Sequence, residues 1–192
     1  WTEVQTIEAL SFATDPSSAG TLYLGTSGLG VFKSTDDGVI WSSSTTGLAD
    51  FSISSLGVDP TSSLTLYAAS PGDGVVKSLD GGSSWTSASS SAFDVVTDLV
   101  IDSSATPVLY VSTLFAGVYK STDGGDTWVA ANAGLPERID CVAADPPLPS
   151  RLFAGAFGRL FRSDDAGVTW TQLTLGVPGA EMNDLLVDPG SG

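Results

Sequence analysis

Apolar residues recur along this chain in short bursts, such as Leu22-Tyr23-Leu24, Val75-Val76, Leu99-Val100-Ile101 and Val108-Leu109-Tyr110-Val111, separated by Gly, Pro, Ser and Asp. The bursts have the length of strands, and no segment carries a 3.6-residue apolar period over helical length. β-Branched and aromatic residues fill them, and turn-forming residues bound them. Runs such as Leu99 to Ile101 are apolar on both faces, which predicts sheets covered on both sides. The pattern therefore predicts an all-β chain of short antiparallel strands.

The bursts repeat. Asp15, Asp59, Asp102, Asp145 and Asp188 are spaced 44, 43, 43 and 43 residues apart, four of them followed by Pro and Asp102 by Ser103. Seven residues after each of the first four comes Leu22-Tyr23, Leu66-Tyr67, Leu109-Tyr110 or Leu152-Phe153. Further on lies an eight-residue pattern, Ser-x-Asp-x-Gly-x-x-Trp. Its copies are Ser34, Asp36, Gly38 and Trp41; Ser78, Asp80, Gly82 and Trp85; Ser121, Asp123, Gly125 and Trp128; Ser163, Asp165, Gly167 and Trp170. A basic residue precedes each copy: Lys33, Lys77, Lys120 and Arg162. Each repeat reads as four strands, one ending at the spaced Asp, one at the Leu-Tyr pair, one before the Ser and one from the Trp. Four strands in a period of 43 residues predict β-propeller blades.

The eight-residue pattern resembles the Asp-box, or BNR repeat, of sialidases, xyloglucanase-type glycoside hydrolases, sortilin-type receptors and photosystem II assembly factors. The resemblance recurs four times in register and covers nearly the whole chain. It implies that each box is the turn between the third and fourth strands of a blade. Ser and Asp would then bond to the turn backbone, Gly would take a positive φ, and Trp would fill the gap between adjacent sheets. This structural reading outweighs calcium binding, because no copy has the spacing of a calcium loop.

On this register the chain is one propeller segment, with repeats at about residues 9–52, 53–95, 96–138 and 139–181. Residues 1–8, with Trp1 as the Trp of a preceding repeat, and residues 182–192 read as strands of partial blades. Unfinished blades predict either a longer array, closing as a ring of about six to eight blades, or self-association by strand addition between copies.

Composition narrows the chemistry. The chain has 192 residues, no His, one Cys and a net charge of -15 from 7 basic and 22 acidic residues. That excludes a His-based triad or His-ligated zinc and an internal disulfide. It opposes nucleic acid and anionic membrane surfaces as partners. No apolar run is long enough for a transmembrane helix. No cofactor or metal is expected. Few Lys, a single Cys and a Ser/Thr-rich acidic composition predict a secreted or cell-surface prokaryotic protein.

Three of the basic residues, Arg138, Arg151 and Arg159, fall outside the repeat positions. A sialidase needs three arginines converging on a carboxylate, and Arg151 is expected on the face opposite Arg138 and Arg159. Those two remain candidates for a small anion patch. A glycosidase needs only two carboxylates. The candidates on the loops of one face are Asp50, Asp94, Glu137 and Glu181, with Asp73 on a second loop group of the same face. No pair among them stands out. The same loops carry Leu29, Leu48, Phe51, Phe93, Leu114, Phe115, Leu135 and Phe157. Most are expected to pack over the blades, with Phe115 and Phe157 as the binding candidates because each sits beside a loop-tip Gly. Cys141 shares a strand position with Ser11, Ser55, Asp98 and Asp184 and is expected to be an inert thiol in the absence of a basic partner.

The reading that follows is a non-catalytic extracellular interaction or structural module, with protein or carbohydrate as its partner. The alternatives are a fragment of a glycoside hydrolase and a scaffold of the assembly-factor kind.

Overall fold

The computed structural model describes residues 8–88, 93, 95–174, 182 and 184–188. The expected partial blade at 1–8, with Trp1, lies almost wholly outside the described residues, as do Asp94 and Glu181. Among the described residues, sixteen strands form four antiparallel sheets, each ordered as its strands occur in the chain. The first sheet comprises β1 (Ala9–Thr14), β2 (Leu22–Thr26), β3 (Val31–Ser34) and β4 (Ser42–Ser43). The second comprises β5 (Ser55–Asp59), β6 (Ser62–Ser70), β7 (Gly74–Ser78) and β8 (Thr86–Ser87). β9 (Val96–Ile101), β10 (Leu109–Thr113), β11 (Val118–Ser121) and β12 (Val129–Ala130) make the third. β13 (Cys141–Asp145), β14 (Leu148–Ala156), β15 (Arg159–Ser163) and β16 (Thr171–Leu173) make the fourth. These are the blades the repeat predicts, and the fold is an all-β propeller type. Residues 184–188 form no strand.

The chain divides into two compact units, residues 1–87 and 88–192, with two blades in each. In the first unit Tyr23, Val31, Ile53, Leu66, Val76 and Trp85 belong to one buried cluster. In the second, Tyr110, Val118, Ile139, Leu152, Phe161 and Trp170 do the same. Each cluster draws on both blades of its unit, so blade faces bury one another, as the two-faced apolar runs predict.

The box closes the β3–β4 turn and its equivalents. Ser34 Oγ donates to Asp36 Oδ1 at 2.8 Å, the Gly38 amide donates to Ser34 Oγ at 2.9 Å, and the Ile40 amide donates to Asp36 Oδ1 at 2.9 Å. Ser78/Asp80, Ser121/Asp123 and Ser163/Asp165 repeat this set. Gly38, Gly82, Gly125 and Gly167 all have φ between 83° and 89°, which glycine adopts without steric cost. Asp15, Asp59 and Asp102 act likewise on a smaller scale, each accepting from a backbone amide two residues on. They are chain-bending devices.

The box also joins neighbouring blades. Trp85 Nε1 donates to the Ser44 carbonyl of the preceding blade, and Trp170 Nε1 donates to Ala131, both at 2.8 Å. Their rings are 2% and 5% exposed. The Trp85 and Trp170 amides reach the Thr46 and Ala133 carbonyls. This approach is so close that a Cβ on Gly47 or Gly134 would strike the Trp carbonyl oxygen, and both glycines sit at positive φ. From the other side, Tyr23 Oη and Lys33 Nζ both donate to Gly81 O in the next box, at 3.2 and 2.8 Å. Tyr110 and Lys120 reach Ala166 O in the same way. In each unit the Tyr and Lys of the first blade thus form an inter-blade clamp, with the ammonium stacked on the ring.

Trp170→Ala leaves a cavity between two sheets and an unpaired Ala131 carbonyl. It should cost about 3–5 kcal/mol in denaturant unfolding; a loss under about 1 kcal/mol would contradict the wedge role.

The box carboxylates are held as anions. Asp80, Asp123 and Asp165 lie at about 2, lowered first by the hydroxyls of Ser84, Thr127 and Thr169 and then by the amides of the same residues. Asp36 is lowered first by the Ile40 amide and then by the Ser34 hydroxyl; Ile40 has no hydroxyl to add. A depressed carboxylate stabilises the fold above the unfolded-chain value of about 4 and loses that contribution as pH falls through the folded value. Carboxyl-carbon NMR should therefore show Asp80, Asp123 and Asp165 titrating near 2. Ile40→Thr should lower the Asp36 midpoint further. Four boxes titrating together at the ordinary value would refute this account.

Candidate functional site

The repeat residues build the frame, and residues that break the repeat shape its loop tips. In the second unit three of these meet. The β10–β11 loop is pinned by Thr113, whose Oγ1 accepts from the Ala116 amide at 3.0 Å and donates to Gly117 O at 3.0 Å. Asn132 completes the pin, donating from Nδ2 to Ala116 O at 2.9 Å and accepting from the Val118 amide at 2.6 Å. Gly117 has φ 79°, and a Cβ there would collide with the Asn132 carboxamide. The pinned loop carries Phe115 at its tip, 63% exposed.

The β14–β15 hairpin turns on Phe157-Gly158, with φ of 49° and 70°. Two consecutive positive φ values are those of a type I′ turn, where Asn, Asp or Gly is the usual first residue. A bulky L-residue there costs about 1–2 kcal/mol. The strained Phe157 ring is nevertheless 59% exposed. Its amide donates to Asp140 Oδ2 at 3.1 Å. The Arg138 guanidinium lies 5.0 Å from the Phe157 ring centroid, and Arg138 Nε donates to Asp140 Oδ1 at 2.7 Å. Asp140 therefore ties the arginine to the hairpin.

Leu114, Phe115, Pro136, Glu137, Arg138 and Phe157 line an open depression of ≈ 460 Å³. Its residues come from second-to-third-strand loops and a fourth-to-first-strand connection, the loop groups expected to share one face. Phe115, Phe157 and Arg138, all candidates from the sequence, are brought together by the fold. Asp140 and Asn132 are not among those candidates; their only sequence signal is a departure from the repeat at positions that prove to be supports.

The Arg159 guanidinium lies 5.7 Å from the Phe161 ring centroid. Arg138 pairs with Asp140, and no ion pair joins Arg159 to an acid among the described residues. Arg151 lies within β14 rather than in the loop before it, because β13 and β14 join through the short Pro146-Pro147 turn and the strand begins at Leu148. There it pairs with Asp164 at 3.0 Å and Asp145 at 3.5 Å.

In the first unit the corresponding positions do something else. Asp50 accepts from the Ser52 amide at 3.0 Å, Ser70 Oγ at 2.9 Å and the Gly72 amide at 2.9 Å. Asp73 accepts in return from the Ala49 and Asp50 amides. These bonds, led by the Ser52 amide, hold the Asp50 carboxyl below its usual range. An acid fixed as an anion by amide donors is a loop clamp rather than a proton donor. Leu48 is buried, and Phe93 packs edge-on against Tyr119 and Trp128, so these two loop residues are packing groups.

Cys141 is buried, and its thiol is pushed up to about 12 by burial first and the Asp98 charge next. It points at the Met182 carbonyl, 3.7 Å away. Asp98 at the same strand position spends Oδ2 on the Val142 amide at 3.0 Å. Among the described residues no three His, Cys, Asp or Glu side chains are placed to hold one metal ion, and no helix is long and apolar enough to cross a membrane.

No protein-family model and no curated protein sequence matches the chain. Solved structures do. An ancestral GH74 enzyme aligns at TM-score 0.75 and 17% identity, over 88% of this chain and 24% of its own. The GH74 xyloglucanase of Xanthomonas campestris aligns at TM-score 0.61 and 20% identity, over 96% of this chain and 42% of its own. YCF48 bound to D1 peptide aligns at TM-score 0.55 and 14% identity, over 90% and 69%. The chain thus spans less than half the length of these GH74 enzymes. At such identities the likeness establishes the β-propeller fold alone.

Phe157→Gly removes the left-handed strain together with the ring. Its unfolding free energy should stay level or rise by up to about 1 kcal/mol, since glycine takes this φ freely. A fall of more than about 1 kcal/mol would make Phe157 a packing residue instead.

Proposed function

We propose that the chain is a non-catalytic binding module that recognises its partner through the depression between Phe115 and Phe157. The observation that carries this reading is Phe157 itself. A large apolar ring is held in a strained backbone conformation yet left exposed, so stability does not account for it. Strain of this kind concentrates at functional positions, and exposed aromatics rimmed by polar groups mark partner surfaces. Among the described carboxylates, Asp50 and Asp73 are clamped by amides, and Asp140 is spent on Arg138 and the Phe157 amide.

The partner is a protein or a carbohydrate. Acidity sets nucleic acid aside, and composition supports a place outside the cell or on a prokaryotic cell surface. A second reading, a segment of a GH74-like glycoside hydrolase, draws on the GH74 likeness. A third, an assembly-factor-like scaffold, draws on the YCF48 likeness.

The deciding experiment incubates the protein with xyloglucan and follows reducing ends, while glycan and peptide arrays are probed with wild type and Phe157→Gly. Expected are no reducing ends and array binding that Phe157→Gly abolishes. Release of reducing ends would overturn the non-catalytic reading. Binding indifferent to Phe157 would overturn the site.

A further inference from the structure

The lining of the depression defines a ligand more narrowly than "protein or carbohydrate". Two exposed rings, Phe115 and Phe157, stand with Leu114 and Pro136 around it. Its polar side chains are Glu137 and Arg138, and Arg138 is already committed to Asp140 and to the Phe157 ring. Glu137 contributes its backbone carbonyl to the Gly117 amide, while its carboxylate forms no ion pair among the described residues. The uncompensated charge at the rim is therefore negative, on a chain whose net charge is -15.

A sugar site needs several convergent donors and acceptors beside its stacking ring, because each buried hydroxyl must find a partner. This lining lacks them. An apolar side chain makes no such demand, and an ammonium or guanidinium beside it would meet both the Glu137 carboxylate and the electron-rich ring faces. The repeat supplies an internal contrast. The first unit has Gly28, Ser52 and Pro71 where the second has Phe115, Arg138 and Phe157, within the same Thr-pinned loop frame: Thr26 Oγ1 donates to Gly30 O as Thr113 Oγ1 does to Gly117 O. The frame does not require these side chains.

We propose that the depression binds a peptide segment that seats an apolar side chain between Phe115 and Phe157 and sets a neighbouring lysine or arginine against Glu137. This rests on the reading of the depression as the binding site.

The test is a positional-scanning array of acetylated, amidated octapeptides, run beside immobilised xyloglucan oligosaccharides, with the intact chain as probe. Selection of an apolar residue flanked by Lys or Arg is expected. Phe115→Ala and Phe157→Gly should each weaken binding about tenfold or more, as for a central aromatic anchor. Glu137→Gln should reduce only the preference for a basic residue, by about two- to fivefold, with a smaller salt dependence. Thermal melts of the three variants check that each is folded.

Selection of acidic peptides, or indifference to charge, would overturn the proposal. Oligosaccharide binding lost in Phe157→Gly would overturn it while leaving the site standing. No Phe157-dependent binding to either class would overturn both.

Discussion

Everything in each unit depends on the wedge of one blade's box into the preceding blade. A four-stranded blade has two apolar faces and cannot cover either alone, so its stability comes from the neighbour. The Trp ring removes the largest piece of that surface from water. Its indole N–H then fixes the depth of insertion by bonding to a carbonyl across the gap. The Tyr and Lys of the preceding blade fix the other side by bonding to the fourth residue of the box. Burial supplies the driving force, and the hydrogen bonds supply the register.

This arrangement explains why the box keeps Ser, Asp, Gly and Trp while its other positions vary. Ser and Asp satisfy the turn amides, Gly takes the φ that no other residue takes without strain, and Trp reaches across. Thr35, Leu79, Thr122 and Asp164 share one box position but carry no common task. The fourth blade departs in two places. Phe153 replaces the Tyr and lacks the hydroxyl, and Arg162 turns to Asp164 at 2.9 Å instead of reaching onward.

A frame fixed by repeat residues leaves the loop tips free to differ. In the first unit the tips close on themselves, with Asp50 and Asp73 exchanging bonds across two loops. In the second, pinning by Thr113 and Asn132 serves the opposite end: it holds an aromatic ring out. The strain at Phe157 is small beside the burial at Trp170, so the frame tolerates it. A fold by itself does not fix a function, and the loop tips are where the two units differ.

The sequence alone determined the strand order, the blade period and the structural role of the box, because a 43-residue repeat reports the same local physics four times over. It also marked Phe115 and Phe157, each beside a loop-tip glycine, and Arg138, which falls outside the repeat positions. It had no means of assigning Asp50 to a clamp or Asp140 to a brace. Nor could it show that Arg159 lies against the Phe161 ring. Those outcomes turn on which loops meet and in what rotamers, and residues far apart in the chain settle that. Periodicity encodes the frame because it is repeated. The site is written once, in single residues whose meaning depends on neighbours that only tertiary packing brings to them.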